Sequence, residues 1–246
     1  MVNGNKVALI TDASHPSAAS IAEKLESKGI VVVKNYPRLD KKGPMEGKPN
    51  SFAFDTWSYD DMNRLLEMIV EKIGNVNYLV HSDNVIFRST IEDISEDDFK
   101  KVLDYNAKSA FMTTKVFAEH MAQNGGGAIV YLSTLHDSKP TGCAFAYSVG
   151  KGAVKMLCKE MALFYGRQGV RANVVQMDYI EEQTELLDSH ISPFNYDATT
   201  KIPLRRLAKP DDSAGIVSFL LSDEAAFING TDVRVDGGHL LYYLDR

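Results

Sequence analysis

The sequence predicts one α/β domain over residues 1–246, a doubly wound parallel sheet with helices on both faces. Three observations carry that expectation. Short β-branched apolar runs recur along the chain, continuous rather than alternating, as strands buried on both faces require. Between them lie longer segments whose apolar residues repeat at helical spacing. No internal repeat, low-complexity tract or linker divides the 246 residues, and a hydrophobic content of 44% fills one large core.

The elements follow in order. Lys6 to Thr11 (KVALIT) reads as the first buried strand, and a helix follows from about Pro16 to Lys28. Its inner stripe is Ile21, Ala22 and Leu25, and Gly29 is its C-terminal stop. Ile30 to Val33 and Phe52 to Asp55 are the next strands. Met62, Leu65, Leu66, Ile69 and Ile73 have helical spacing within a helix over 59–73. Asn77 to Val80 is a strand, and a long helix is expected from about Glu96 to Gln123. Gly125-Gly126-Gly127 precedes a strand rather than opening a helix, so it reads as a turn and not as a phosphate cradle. The strand at Ala128 to Leu132 leads to a further helix, and Val170 to Gln176 is the next strand. A polar, irregular segment runs from Asp178 to Lys201, before a helix at about Asp211 to Leu221 and a last strand at Asp232 to Val235.

Composition narrows the function. A net charge of −6 argues against a nucleic-acid or anionic-membrane surface. Two cysteines, Cys143 and Cys158, are too few for a disulfide framework and suit a reducing cytosol. No basic-plus-apolar leader and no long apolar run is present, so a cytoplasmic protein is expected. The histidines are scattered without metal-ligand spacing and read as structural or surface residues; no metal is expected.

The chemistry concentrates between Gly127 and Ala162. Tyr147 and Lys151 are four residues apart, one turn on the same helix face. An ammonium near a phenol favours the phenolate, which brings proton transfer by the tyrosine closer to neutral pH. Ser133 and Thr134 end the preceding strand, where their hydroxyls can hold a substrate oxygen.

On these residues the chain resembles the short-chain dehydrogenase/reductase family, over nearly its whole length. Tyr-Ser-Val-Gly-Lys matches the family's catalytic motif at Tyr147 and Lys151. Asn106, in Asp-Tyr-Asn-Ala-Lys-Ser-Ala-Phe, falls at the family's helix asparagine, which anchors a water of the proton relay. The family's catalytic serine is the second of a Ser-Ser pair, here Thr134 with Ser133 before it. The tail from Ile202-Pro-Leu-Arg-Arg-Leu-Ala-Lys-Pro-Asp-Asp through Asp236-Gly-Gly looks like the family's closing segment, and Asp178 to Lys201 corresponds to its substrate lid. The resemblance implies a Rossmann-type fold and nicotinamide-dependent redox chemistry. Tyr147 would transfer the proton, and Lys151 would lower its pKa and hold the nicotinamide ribose.

The nucleotide loop departs from that pattern. The family reads Thr-Gly-x-x-x-Gly-x-Gly after its first strand, and the three glycine places here hold Asp12, Pro16 and Ala18. Those glycines allow a tight turn, a close approach to the pyrophosphate and close helix packing. Pro16 also lacks an N–H. Asp12, if it points into the site, would repel a phosphate by about 4 kcal/mol at about 4 Å and an effective dielectric of about 20. That is a large share of the roughly 8 kcal/mol that binds a micromolar cofactor. The family's Asn-Asn-Ala-Gly is His81-Ser82-Asp83-Asn84, and its Pro-Gly is Met177-Asp178. Asp55 keeps the adenine-contacting place; Arg38 would favour a 2′-phosphate if a nucleotide bound, and otherwise reads as a solvated surface cation.

The expected function is therefore a subunit that binds no cofactor itself within a hetero-oligomeric dehydrogenase. Its partner would be a catalytically active paralogous subunit holding NAD or NADP, in a heterotetramer acting on a β-hydroxyacyl-CoA ester. That arrangement resembles two-subunit dehydrogenases such as the one for 2-[hydroxy(phenyl)methyl]succinyl-CoA. The alternatives are an active NADP-dependent ketoreductase with an atypical phosphate loop, and a non-enzymatic sensor or scaffold.

Overall fold

The computed structural model describes residues 5–178, 180 and 201–241. The strands are β1 (Val7–Ile10), β2 (Val31–Asn35), β3 (Gly43–Pro44), β4 (Ser51–Ala53), β5 (Val76–His81), β6 (Gly127–Thr134), β7 (Val170–Met177) and β8 (Asp232–Val235). They form one sheet in the order β3-β4-β2-β1-β5-β6-β7-β8. All neighbours run parallel except β3, which returns antiparallel to β4. The helices are α1 (Ala18–Glu26), α2 (Tyr59–Lys72), α3 (Glu96–Leu103), α4 (Ser109–Gln123), α5 (Phe145–Tyr165) and α6 (Pro210–Leu221).

Side-chain alternation along the strands builds two cores. In β1, Val7 and Leu9 join one cluster and Ala8 and Ile10 the other. In β6, Ile129 and Tyr131 face the first, while Ala128, Val130 and Leu132 face the second. The first is closed by α2, α4 and α5 through Met62, Leu65, Ile69, Phe117, Met121, Val154 and Cys158. The second is closed by α1 and α6 through Ile21, Leu25, Val217 and Leu220. Fully burying such a side chain stabilises by about 1.5–3 kcal/mol, so both faces hold the sheet.

Local chemistry sets the helix starts. Ser58 caps α2 by accepting the Asp61 N–H at 3.3 Å, and Ser95 caps α3 by accepting the Asp98 N–H at 3.1 Å. Acidic residues fill both first turns, where they complement the helix dipole.

Two features differ from the sequence expectation. The helix expected over 96–123 contains a π turn at Asp104–Lys108, so α3 and α4 are joined across one widened turn centred on Asn106. The stretch before β4 contributes the antiparallel strand β3, too short and Gly-Pro-rich to signal itself by periodicity. Gly125 and Gly126 turn the chain into β6, which starts at Gly127, and do not open a helix, as expected. A Cβ on Gly126 would stand 2.5 Å from the Gly169 carbonyl oxygen, and only glycine allows that approach. Most of the expected lid, from Asp178 to Lys201, lies outside the described residues.

The sheet reverses its winding between β1 and β5, with β2 on one side and β6 on the other. The carboxyl ends of β1, β2, β5 and β6 therefore converge on one groove, where ligands of open α/β sheets bind.

Candidate active site

The strand ends bring the predicted catalytic residues together. Lys151 is 1% exposed on α5 and donates from Nζ to the Asp83 carbonyl (2.8 Å) and the Leu132 carbonyl (3.4 Å). Burial, opposed by Asp83, Asp137 and Asp12, lowers its pKa to about 8. Tyr147, one turn earlier on α5, is also buried, and its ring lies 5.8 Å from the Lys151 ammonium. Its hydroxyl donates to Asn84 Oδ1 at 2.9 Å. The position that resembles the family's glycine thus carries a side chain that reaches the phenol. His136 stands edge-on to Tyr147 with ring centroids 5.9 Å apart.

Asn106 is fully buried in the π turn. Its amide donates to the carbonyls of Val85 and Val102, both at 2.9 Å, and its Oδ1 accepts the Val85 N–H at 3.2 Å. The two hydroxyls at the end of β6 divide. Ser133 donates to Asp137 Oδ2 at 2.7 Å, within a network that also takes in Gln176 and Ser138. Thr134 accepts the His136 N–H at 3.4 Å, and its hydroxyl donates to no described side chain, which leaves it available to a substrate oxygen.

The nucleotide side is stitched to itself. Asp12 is 1% exposed. Its carboxylate accepts from Arg38 at 2.5 Å, from the Ser14 N–H at 3.0 Å and from the Ser14 hydroxyl. Arg38 remains exposed, as expected of a surface cation, yet it pairs with Asp12, whose charge is balanced within the turn. Arg38 also reaches the Ser14 hydroxyl at 3.2 Å and lies 5.9 Å from the Tyr105 ring centroid, with Trp57 edge-on to that ring at 4.6 Å. Arg38 has φ +70°, an uncommon conformation for a side-chain-bearing residue. Even so, burial and the nearby Asp83 keep the Asp12 pKa raised. Asp55 pairs with Lys42, the residue before β3.

The backbone of the first turn is fully spoken for. Ala13 N–H donates to the Asn35 carbonyl (2.7 Å), Ser14 N–H to Asp12 Oδ1 (3.0 Å) and His15 N–H to the Asp12 carbonyl (3.2 Å). Pro16 has none. Ser17 N–H donates to His15 Nδ1 (3.1 Å) and Ala18 N–H to the His15 carbonyl (2.9 Å). From Ala13 to Ala18 no N–H is left for a pyrophosphate, which the dinucleotide fold binds through such groups. Pro16 and Ala18 stand at this turn as the sequence indicated. The residues present do not fit the dinucleotide there.

Three further residues, of which Ser82 and Asp83 stand in the departed loop pattern, tie the strand ends together. Asp83 is fully buried and accepts from the hydroxyls of Thr11 and Thr56, with His81 Nε2 at 3.4 Å; burial raises its pKa. Ser82 Oγ accepts the Asp12 N–H (3.0 Å) and donates to the Asp12 carbonyl (2.9 Å), tying β5 to β1. Asn35, at the end of β2, donates to the carbonyls of Thr11 (2.9 Å) and Phe54 (3.0 Å) and accepts the Phe54 N–H (3.0 Å). The polar residues replacing the family's loop pattern were the only sequence signal for this network. Elsewhere, Arg206 forms a two-pronged ion pair with Asp212 at 2.6 and 2.8 Å. Among the described residues no metal-ligand cluster forms, and no helix is long and apolar enough to cross a membrane.

A family model described as enoyl-(acyl carrier protein) reductase matches residues 16–239. The chain belongs to the short-chain dehydrogenase/reductase family. Among relatives of this family, glucose 1-dehydrogenase 2 of Bacillus subtilis is 27% identical, covering 96% of this chain and 95% of that protein. Dehydrogenase/reductase SDR family member 4 of Caenorhabditis elegans is 31% identical, covering 95% and 94%. The aldohexose dehydrogenase of Thermoplasma acidophilum, solved ligand-free, superposes with a TM-score of 0.87 at 27% identity, over 98% of this chain and 96% of that one. A gluconate 5-dehydrogenase from Burkholderia cenocepacia, solved with NADP and tartrate, shares the fold with a TM-score of 0.86 at 22% identity, over 99% and 97%. The short-chain dehydrogenase/reductase motif residues Asn106, Tyr147 and Lys151 are all buried in this fold.

Proposed function

We propose that this chain is the subunit of a hetero-oligomeric short-chain dehydrogenase that does not itself bind nicotinamide dinucleotide. A catalytically active paralogous subunit carries the NAD or NADP, and the assembly, a heterotetramer, oxidises a β-hydroxyacyl-CoA ester to the ketone. The observation that carries the reading is the closed account of N–H groups from Ala13 to Ala18, together with the Asp12–Arg38 pair across the same turn. A bound pyrophosphate would have to replace those bonds rather than fill open donors. The contact of Tyr147 with Asn84, which lines the same cavity, acts in the same direction.

The surface supports a partner. Phe111 on α4 and Val149, Met156 and Leu163 on α5 are exposed, with Leu163 at 77%. Large apolar side chains collected on neighbouring helices favour burial against another subunit.

A second reading, an active NADP-dependent ketoreductase, draws support from Arg38. It lines the groove where a 2′-phosphate-binding residue is expected, and the Burkholderia relative was solved with NADP. Calorimetric titration of the purified chain with NAD(H) and NADP(H) separates the two. No saturable binding at millimolar cofactor is expected. Micromolar binding of either nucleotide would overturn the first reading in favour of the second.

A further inference from the structure

The phosphate-loop end of the groove contains a cavity of about 260 Å³ lined in part by Asp12, His15, Pro16, Arg38, Asn84 and Ile86. Its polar side chains pair most of their acceptors inside the protein. His15 Nδ1 accepts the Ser17 N–H at 3.1 Å, so the neutral ring carries its proton on Nε2. Burial and the nearby Lys151 hold the His15 pKa at about 3, which keeps the ring neutral through the neutral range. Asn84 Oδ1 accepts the Tyr147 hydroxyl at 2.9 Å, leaving the amide NH₂ as its remaining polar group. Arg38 uses one terminal nitrogen for Asp12 and Ser14, so its other terminal nitrogen and Nε have no described acceptor. Asp12, 1% exposed, is taken up by Arg38 and Ser14. What remains to meet a ligand is a set of N–H donors beside an apolar wall made by Pro16 and Ile86.

We propose that this cavity binds the carboxylate of a short aliphatic acid. Arg38, His15 and Asn84 donate to its oxygens, and its carbon chain lies against Pro16 and Ile86. Three residues with an unused N–H line one cavity whose carboxylate and hydroxyl oxygens are already paired with Arg38, which favours a ligand that accepts. The volume falls below the roughly 300–1,000 Å³ of sites for drug-sized ligands, so the acid has only a few carbons. Asp12 is paired with Arg38 and His15 is neutral, so the lining carries no net positive charge and suits a monoanion better than a dianion. This inference rests on the reading that no dinucleotide occupies the groove.

The test is calorimetric titration of the full chain with butyrate, butyramide, inorganic phosphate and NAD(H). Butyrate is expected to saturate in the millimolar range while its neutral amide does not. Asn84→Asp keeps an acceptor for Tyr147 but places a carboxylate in the cavity, and should weaken butyrate roughly tenfold or more, about 1.4 kcal/mol. Arg38→Lys keeps the charge opposite Asp12 but loses the fork of donors, and should weaken butyrate as well. Absence of saturable butyrate binding, with NAD(H) also unbound, would overturn the inference and leave the proposed function standing. Equal binding of butyramide or phosphate, or butyrate affinity unchanged in both folded variants, would overturn it too. Micromolar NAD(H) binding would remove both.

Discussion

The two halves of one groove have diverged. At β6 and α5 the short-chain dehydrogenase/reductase residues remain, with Tyr147 and Lys151 buried on one helix face and Thr134 at the strand end. At β1, α1 and β2 the glycines are gone, and side chains of the chain itself have taken their hydrogen-bonding partners. The first half needs only a helix and a strand in register, which the two cores supply whether or not a cofactor binds. The second needs backbone left unsatisfied, a condition with no stabilising role of its own. A buried N–H without a partner costs about 1–3 kcal/mol, so a turn whose N–H groups pair within the chain avoids that cost.

The sharpest way to break this contrast compares tyrosines across the proposed complex. Replacing the corresponding tyrosine of the active subunit by phenylalanine should cut turnover by about 10²–10⁴-fold, the usual contribution of an acid–base group. Tyr147→Phe in this chain should leave turnover nearly unchanged. Steady-state rates of both reconstituted complexes at saturating substrate and cofactor decide it. A hundredfold loss from Tyr147→Phe in a folded protein would show a working catalytic half here.

Lys151 gives the next largest effect. Its folded pKa of about 8 lies below the ordinary 10.5, so between those values the unfolded chain holds a proton that the folded chain does not. Stability should therefore rise as pH increases through that window, by on the order of 3 kcal/mol from this residue. Lys151→Met should flatten the rise. Urea unfolding of both proteins near pH 8 and near pH 10 would measure the difference, and identical slopes would mean that the ammonium is better solvated than its burial implies.

On the nucleotide side, Arg38→Ala should cost about 2 kcal/mol by leaving the buried Asp12 carboxylate without its charged donor. Asp12→Ala combined with Arg38→Ala should recover part of that loss. A double-mutant cycle with no coupling energy would mean that the pair does not hold the turn closed. The smallest effect is on stability in Tyr147→Phe: about 1 kcal/mol for the lost bond to Asn84, read from the denaturant midpoint.

The frame and the catalytic half were legible in the sequence because they rest on local repetition. The run at Val7–Ile10 needed only continuous apolarity, and the Tyr147–Lys151 spacing needed only the helical period. The closed half was legible as a departure but not as a structure. Asp12 announced a lost glycine, yet its partner Arg38 lies 26 residues away and joins it only through the order of the sheet. Asp83 likewise meets Thr11 and Thr56 across distances that no periodicity reports. The π turn escaped for another reason: one inserted residue leaves the helical pattern on either side nearly intact.

That turn bears on how the molecule breathes. Asn106 grips Val85 through both its N–H and its C=O, and Gly150 on α5 packs so close that a Cβ there would stand 3.1 Å from the Asn106 Cβ. Val85 belongs to no strand or helix, yet its amide proton is held by a side chain with no exposure to water. Exchange of that proton with solvent therefore requires the π turn to release Asn106 rather than a flicker of the loop. A loop amide should keep time with the helix behind it.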